Sequence, residues 1–146
     1  MHPYACDYQG KYIISAGPKT WLGAKEACEK AGLHLAKIRD QSEILEITAA
    51  AEFFLGPRDQ TKKEFDFSNW IWTGGNDIEE EGTWVWEADG ETAVWEGMPW
   101  RAPNPDDAQY MRESGQDALA ISKWGKLDDS FHNTRRRPFA CQCPGT

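Results

Sequence analysis

Cys6 and Cys28 stand near the start of the chain, Cys141 and Cys143 near its end. Any cross-link between the two pairs ties the ends together and fixes the outline of everything between. Cys141 and Cys143 are separated by one residue, so along a strand their side chains share a face, but the C-x-C spacing is not the paired C-x-x-C of a structural zinc site. Two disulfides are the expected state. Of the three connectivities open to four cysteines, the two that join each early cysteine to a late one are favoured, and the sequence alone leaves both open. A bridge enclosing on the order of 100 residues is worth up to about 4.7 kcal/mol by chain entropy. Such bridges imply an oxidising compartment, hence a secreted or extracellular protein.

At 146 residues, 40% hydrophobic with eight Trp, the chain can bury one core, and it reads as a single domain over residues 1–146. A formal charge of -8 argues against nucleic acid or an anionic membrane surface as the main partner. Divalent cations and neutral ligands fit that balance better. No apolar run reaches the roughly 20 residues that span a bilayer, so membrane insertion is not expected, and the opening "MHPYACDYQG" has no basic-then-apolar targeting pattern.

The segment "TWLGAKEACEKAG" predicts a helix from about Trp21 to Ala31, capped by Thr20 and ended by Gly32. A second helix is predicted over "DQSEILEITAAAEFF", opened by Asp40 with Glu43 as a capping box and closed at Gly56-Pro57. Its expected core face is Ile44, Leu45, Ile47 and Ala51. Between the two lies "LHLAKI", a short strand or extended link. Residues 56–69 are polar and turn-rich, a surface excursion. Beyond Trp70 the pattern turns β-prone in "WIWTGG", "TWVWEADG", "ALAIS" and "PFACQC", each bounded by Gly, Asp or Pro. Helices first and strands later give an α+β class. Residues 90–117 show little regular pattern, and a long irregular stretch in a compact chain is commonly functional. It holds "PWRAPNPDD", residues 99–107, in which three prolines rule out regular structure while Asn104, Asp106 and Asp107 offer oxygen ligands.

Six pieces, in order, resemble C-type lectin-like domains over nearly the whole chain. They are "WLGAKEACEKAGLHLAKI", "WTGGND" for the family's W-I-G-L segment, "EGTWVWEADG" for its next hairpin, "APN" for E-P-N or Q-P-D, "LDD" for W-N-D, and "PFACQC" for the closing F-x-C strand. The resemblance implies two helices flanking two small antiparallel sheets, with about residues 90–117 as the long loop for calcium and sugar. It implies that Cys28 pairs with Cys141 and, by elimination, Cys6 with Cys143. The family's second disulfide, at the base of that loop, would fall on Ala118 and His132, neither a cysteine.

The calcium-binding positions of the family correspond to Ala102, Asn104, Gln116, Asp128 and Asp129, so one glutamate is lost and another is softened to glutamine. The resemblance therefore implies a weakened Ca²⁺ site, with Trp100 as the stacking surface for a sugar ring. A second calcium position corresponds to Asp77, Glu81 and Asp117. If that fold holds, Glu79, Glu80, Asp106 and Asp107 add to a crowd of acids at one pole, which stays hydrated, shifts its pKa values upward or binds a cation. Zinc held by His132 with Asp128 and Asp129 is the weaker reading. Trp72, Trp84, Trp86 and Trp95 are expected mainly in the core, Trp124 is a second candidate for stacking, and Arg135, Arg136 and Arg137 form a basic turn.

The function implied is a carbohydrate-binding lectin module acting on glycans or glycoproteins of cells or microbes, in innate-immune recognition. The alternative is a calcium-independent relative that binds protein or another non-sugar ligand. No enzyme is expected, because paired acids for glycoside hydrolysis need an enclosed cleft that nothing in the sequence predicts. Neither the particular sugar nor the oligomeric state is written in the chain.

Overall fold

The computed structural model describes residues 11–56, 70–80, 82–93, 95, 118–123, 125–130 and 136–143. Strand β1 (Tyr12–Lys19) leads into helix α1 (Trp21–Lys30), the short β2 (His34–Leu35), helix α2 (Gln41–Leu55), and then strands β3 (Trp70–Asn76), β4 (Val85–Trp86), β5 (Ala118–Ser122), β6 (Leu127–Ser130) and β7 (Arg137–Gln142). The class is α+β, as expected. β1 was not foreseen, because the sequence reading assigned no element before Thr20.

The helix ends follow from local chemistry. Thr20 Oγ1 accepts from the Gly23 amide at 3.2 Å, and the positive φ of Gly32 lets the chain leave α1 where a side chain would be strained. Asp40 Oδ1 accepts from the Glu43 amide at 3.0 Å, opening α2. The reciprocal half of the expected capping box is displaced by one residue: Glu43 Oε1 takes the amide of Arg39, at 2.7 Å, instead of that of Asp40.

The sheet runs β1-β7-β3-β5-β6, with β2 also on β7 and β4 also on β3. The β1–β7 and β3–β5–β6 ladders are antiparallel, and they meet through a parallel pairing of Trp72 with Phe139. Two small antiparallel units thus join into one mixed sheet. Strands β3, β5 and β7 are buried on both faces because a helix and its core cover each side. Ile14, Ile71, Leu119, Ile121 and Ala140 pack with Ile44, Ile47 and Ala51 of α2. The alternate residues Ile13, Trp70, Trp72, Ala120, Phe139 and Cys141 pack with Trp21, Ala24 and Cys28 of α1. Leu45 does not share the core face assigned to it and is 64% exposed. One residue beyond Ile44 is a rotation of about 100°, which carries it off the stripe formed by Ile44, Ile47 and Ala51.

Indole groups tie the layers together. Trp21 donates to the Thr73 carbonyl at 2.8 Å, Trp72 to that of Lys19 at 2.9 Å and Trp95 to that of Ile38 at 2.8 Å. Trp72, Trp84 and Trp86 are buried and Trp95 packs partly buried against the core, as the sequence suggested. Cys28 and Cys141 form the expected disulfide, with Cα atoms 5.6 Å apart. Cys143 is also disulfide-bonded, and Cys6 lies outside the described residues.

Gly75 gives a direct test of this packing. A Cβ built there would come 2.3 Å from Leu119 Cδ1 and 2.9 Å from its Cγ, and Leu119 is fully buried. Gly75→Ala is therefore expected to cost about 1–3 kcal/mol by forcing β3 and β5 apart, visible as a lower denaturation midpoint at unchanged denaturant slope.

Candidate functional site

The sheet register gathers three strand ends into one row. Asn76, the last residue of β3, pairs with Ala118, the first of β5, and Ala118 pairs with Ser130, the last of β6. Asp77 follows directly on Asn76, and Gln116 and Asp117 precede Ala118 in the sequence. Asp128 and Asp129 pair with Ala120 and Leu119, within two residues of the same end. Acidic positions that are far apart in the chain are thus delivered by the backbone to one end of the β3–β5–β6 ladder. Ala118, where the family resemblance implies a cysteine, is fully buried in the α1-side core.

Asp77 is buried rather than standing in a hydrated acidic crowd. Its Oδ2 accepts from the Gly82 amide at 2.8 Å, closing a turn in which the Thr83 amide also bonds to the Glu80 carbonyl at 2.9 Å. The positive φ of Gly82 completes that turn. Asn76 prepares it from the other side, with Oδ1 accepting from the Ile78 amide at 3.3 Å and Nδ2 donating to the Gly74 carbonyl at 3.1 Å. Glu79 and Glu80 are carried on this turn, exposed, and Asp128 is half-buried on β6.

The acids of the neighbouring hairpin are occupied differently, which sequence reading did not foresee. Lys37 is paired with Asp89 and lies 3.5 Å from Glu91, while Lys25 lies 3.6 Å from Glu87. Burial pushes the Asp89 carboxyl upward, but the bond from Lys37 and the backbone donor of Glu91 outweigh it and hold Asp89 below its ordinary range. Glu87, Asp89 and Glu91 therefore fasten the β4 hairpin to α1 and to the segment after β2. Pairing across more than fifty residues leaves no local sequence signal.

Trp100, Asn104, Asp106, Asp107, Gln116, Asp117, Glu81, Trp124 and His132 lie outside the described residues, as do Ala102 and Arg135. Among the described residues no group of three His, Cys, Asp or Glu side chains converges on a point that could hold an ion. Of the expected oxygen ligands, Asp77 and Asp128 are the two whose side chains are described, the first buried and the second half-buried.

The family model for the lectin C-type domain matches residues 17–143, nearly the whole chain. The chain belongs to the C-type lectin domain family. It is 29% identical over 143 residues to salivary C-type lectin 2 of Aedes albopictus, covering 94% of this chain and 85% of that protein. It is 32% identical over 95 residues to the galactose-specific lectin nattectin of Thalassophryne nattereri, covering 65% of this chain and 52% of that protein. The mouse scavenger receptor C-type lectin carbohydrate-recognition domain has the same fold, with a TM-score of 0.69 at 24% identity, covering 90% of this chain and 87% of that one. C-type lectin domains are binding modules rather than enzymes. Among the described residues no helix is long and apolar enough to cross a membrane.

Proposed function

We propose that this C-type lectin domain is a secreted glycan-binding module spanning residues 1–146, with residues 90–117 as its long loop and one end of the β3–β5–β6 ladder as its base. In this reading Asn104, Asp128 and Asp129, with Gln116, hold a Ca²⁺ ion that also meets sugar hydroxyls, and Trp100 offers the ring face for stacking. Asp77, Glu81 and Asp117 serve a second cation position. The observation that carries the proposal is the register of Asn76, Ala118 and Ser130, which supports the convergence of these positions on one pole. Glycans or glycoproteins of cells or microbes are the ligand class, consistent with innate-immune recognition. The galactose-specific name of nattectin makes galactosides one class to test first.

A second reading is favoured by a specific feature of the chain. On the family pattern Ala102 and Gln116 stand at positions of calcium-binding glutamates, and on this second reading the domain binds a protein or another non-sugar ligand without calcium. Calorimetric titration with calcium, followed by a glycan array with and without chelator, separates the two. Heat of binding together with chelator-sensitive glycans supports the sugar reading, and silence in both supports the other. On the sugar reading, Asn104→Ala or Asp129→Ala abolishes ion-dependent glycan binding while leaving calcium-free thermal stability within a degree or two. Glycan binding by either variant at the parent's affinity would remove this loop as the binding surface.

A further inference from the structure

Helix α2 carries an apolar row that the core does not use. Leu45, Ala49 and Phe53 recur every four residues, so they stand above one another on one face. All three are exposed, and the two large ones show 64% and 65% of their surface. Phe54 meets Phe53 edge-on, with ring centroids 5.1 Å apart. Ala49 and Phe53 of the row, with Phe54, line a groove of about 350 Å³ that continues over Ala50 to Lys11, Tyr12 and Glu46. Scattered exposed apolar residues are ordinary, but a three-turn row beside a groove is the arrangement that helix-in-groove and helix-on-helix recognition uses.

Charge identifies the occupant. Helix α2 contains Glu43, Glu46 and Glu52 and no basic residue. Glu46 and Glu52 are exposed beside the row, and Lys11 is already turned toward Glu43 at 2.8 Å and Glu46 at 3.5 Å. A second copy of this chain, itself at a formal charge of -8, would set like-charged helix flanks against each other. A segment with an apolar stripe between lysines or arginines meets both the row and the acids.

Position makes this surface independent of the proposed sugar pole. Ile44 and Thr48 of α2 pack against Gly125, in the turn that joins β5 to β6. Ala118 and Ser130 lie at the opposite end of that same hairpin.

We propose that the outward face of α2 docks a partner protein through a cationic amphipathic helix, its apolar residues along Leu45, Ala49 and Phe53 and its basic residues against Glu46 and Glu52. The probe is a fluorescein-labelled helical peptide of leucine, alanine and lysine, titrated with the full chain by anisotropy, with a peptide in which glutamate replaces lysine as control. The expected result is saturable binding of the lysine peptide alone, weakened about tenfold or more by Leu45→Ser with Phe53→Ser and also by Glu46→Lys with Glu52→Lys. The serine variant changes only exposed side chains and should melt like the parent; Glu46→Lys also removes the 3.5 Å ion pair with Lys11, so that variant is compared at a temperature where its own melt shows it folded, and glycan binding should not change in either. Equal binding by parent and variants would move the peptide elsewhere, for instance to the acidic strand ends, and overturn the proposal. Equal binding of the glutamate peptide would do the same. A parent dimer in sedimentation that Leu45→Ser with Phe53→Ser dissociates would assign the row to a second copy and also overturn it.

Discussion

Replacing Cys28 and Cys141 together by alanine is expected to lower the unfolding free energy by about 3–5 kcal/mol. The bridge spans 113 residues of sequence, and chain entropy for so long a loop gives roughly 4.8 kcal/mol. The effective loop is shorter if Cys6 and Cys143 are already joined, as the family pattern implies. The unfolded chain then runs from residue 28 back to 6 and from 143 to 141, a path of about 24 residues, for which the same expression gives roughly 3.4 kcal/mol. Both sulfurs are fully buried among Trp21, Trp72 and Phe139, so alanine is the appropriate replacement, since serine would add a buried hydroxyl. At about 2–4 °C per kcal/mol for a domain of this size, thermal melting should fall by roughly 6–20 °C. The measurement is a two-state melt of parent and variant at the same pH. A shift of only a degree or two would mean that the unfolded chain is already held together around this loop, so the bridge removes little entropy from it.

Helix limits were legible because capping is local. Thr20, Gly32, Asp40 and Gly56 lie within a few residues of the ends they govern, and the structure has them in those roles. Strands β3, β5 and β7 were legible for a related reason, since continuous β-prone runs bounded by turn residues reflect burial on both faces. β1 was missed: "YIISAGPK" contains Gly and Pro, and it owes its strand state to pairing with β7, from Tyr12 with Gln142 to Lys19 with Arg137 across the length of the chain. β6 carries no strand signal because "LDDS" has little β propensity of its own and is held by β5. The candidate site was legible almost entirely through family resemblance. Nothing in the local pattern of "GND" or "LDD" says that register will put their strand ends in one row. The lysine-bound acids of the β4 hairpin and the bond between Glu43 and Lys11 were hidden for the same reason, that their partners are distant in sequence.

The second large effect belongs to Glu43, read in the sequence as a helix cap and found to be the ionic link between α2 and Lys11, the residue before β1. Its side chain is buried, with Oε2 accepting from Lys11 Nζ at 2.8 Å and Arg39 Nη2 at 2.9 Å, and Oε1 from the Arg39 amide at 2.7 Å and Nε at 3.0 Å. Burial pushes this carboxyl upward, but the bonds from Arg39 and Lys11 together outweigh burial and bring it down to about 2 from an ordinary 4.5. A carboxylate depressed on folding stabilises the native state above its unfolded pKa, and that contribution is lost as pH falls through the folded one. The window is therefore from about pH 4.5 down to about pH 2, and the contribution is on the order of 3 kcal/mol. Glu43→Gln keeps the shape and an acceptor for Arg39 but removes the charge, and it should cost about 2–3 kcal/mol at pH 7. Glu43→Ala, which also strands the Arg39 amide, should cost about 1 kcal/mol more. Urea unfolding at a series of pH values provides the check. The stability gap between parent and Glu43→Gln should narrow from pH 5 toward pH 2, because acid takes from the parent the charge that the substitution has already removed. A gap that stays constant across that range would mean the carboxylate is not what joins the helix to the strand, and that Lys11 and Arg39 lie beside Glu43 without stabilising it.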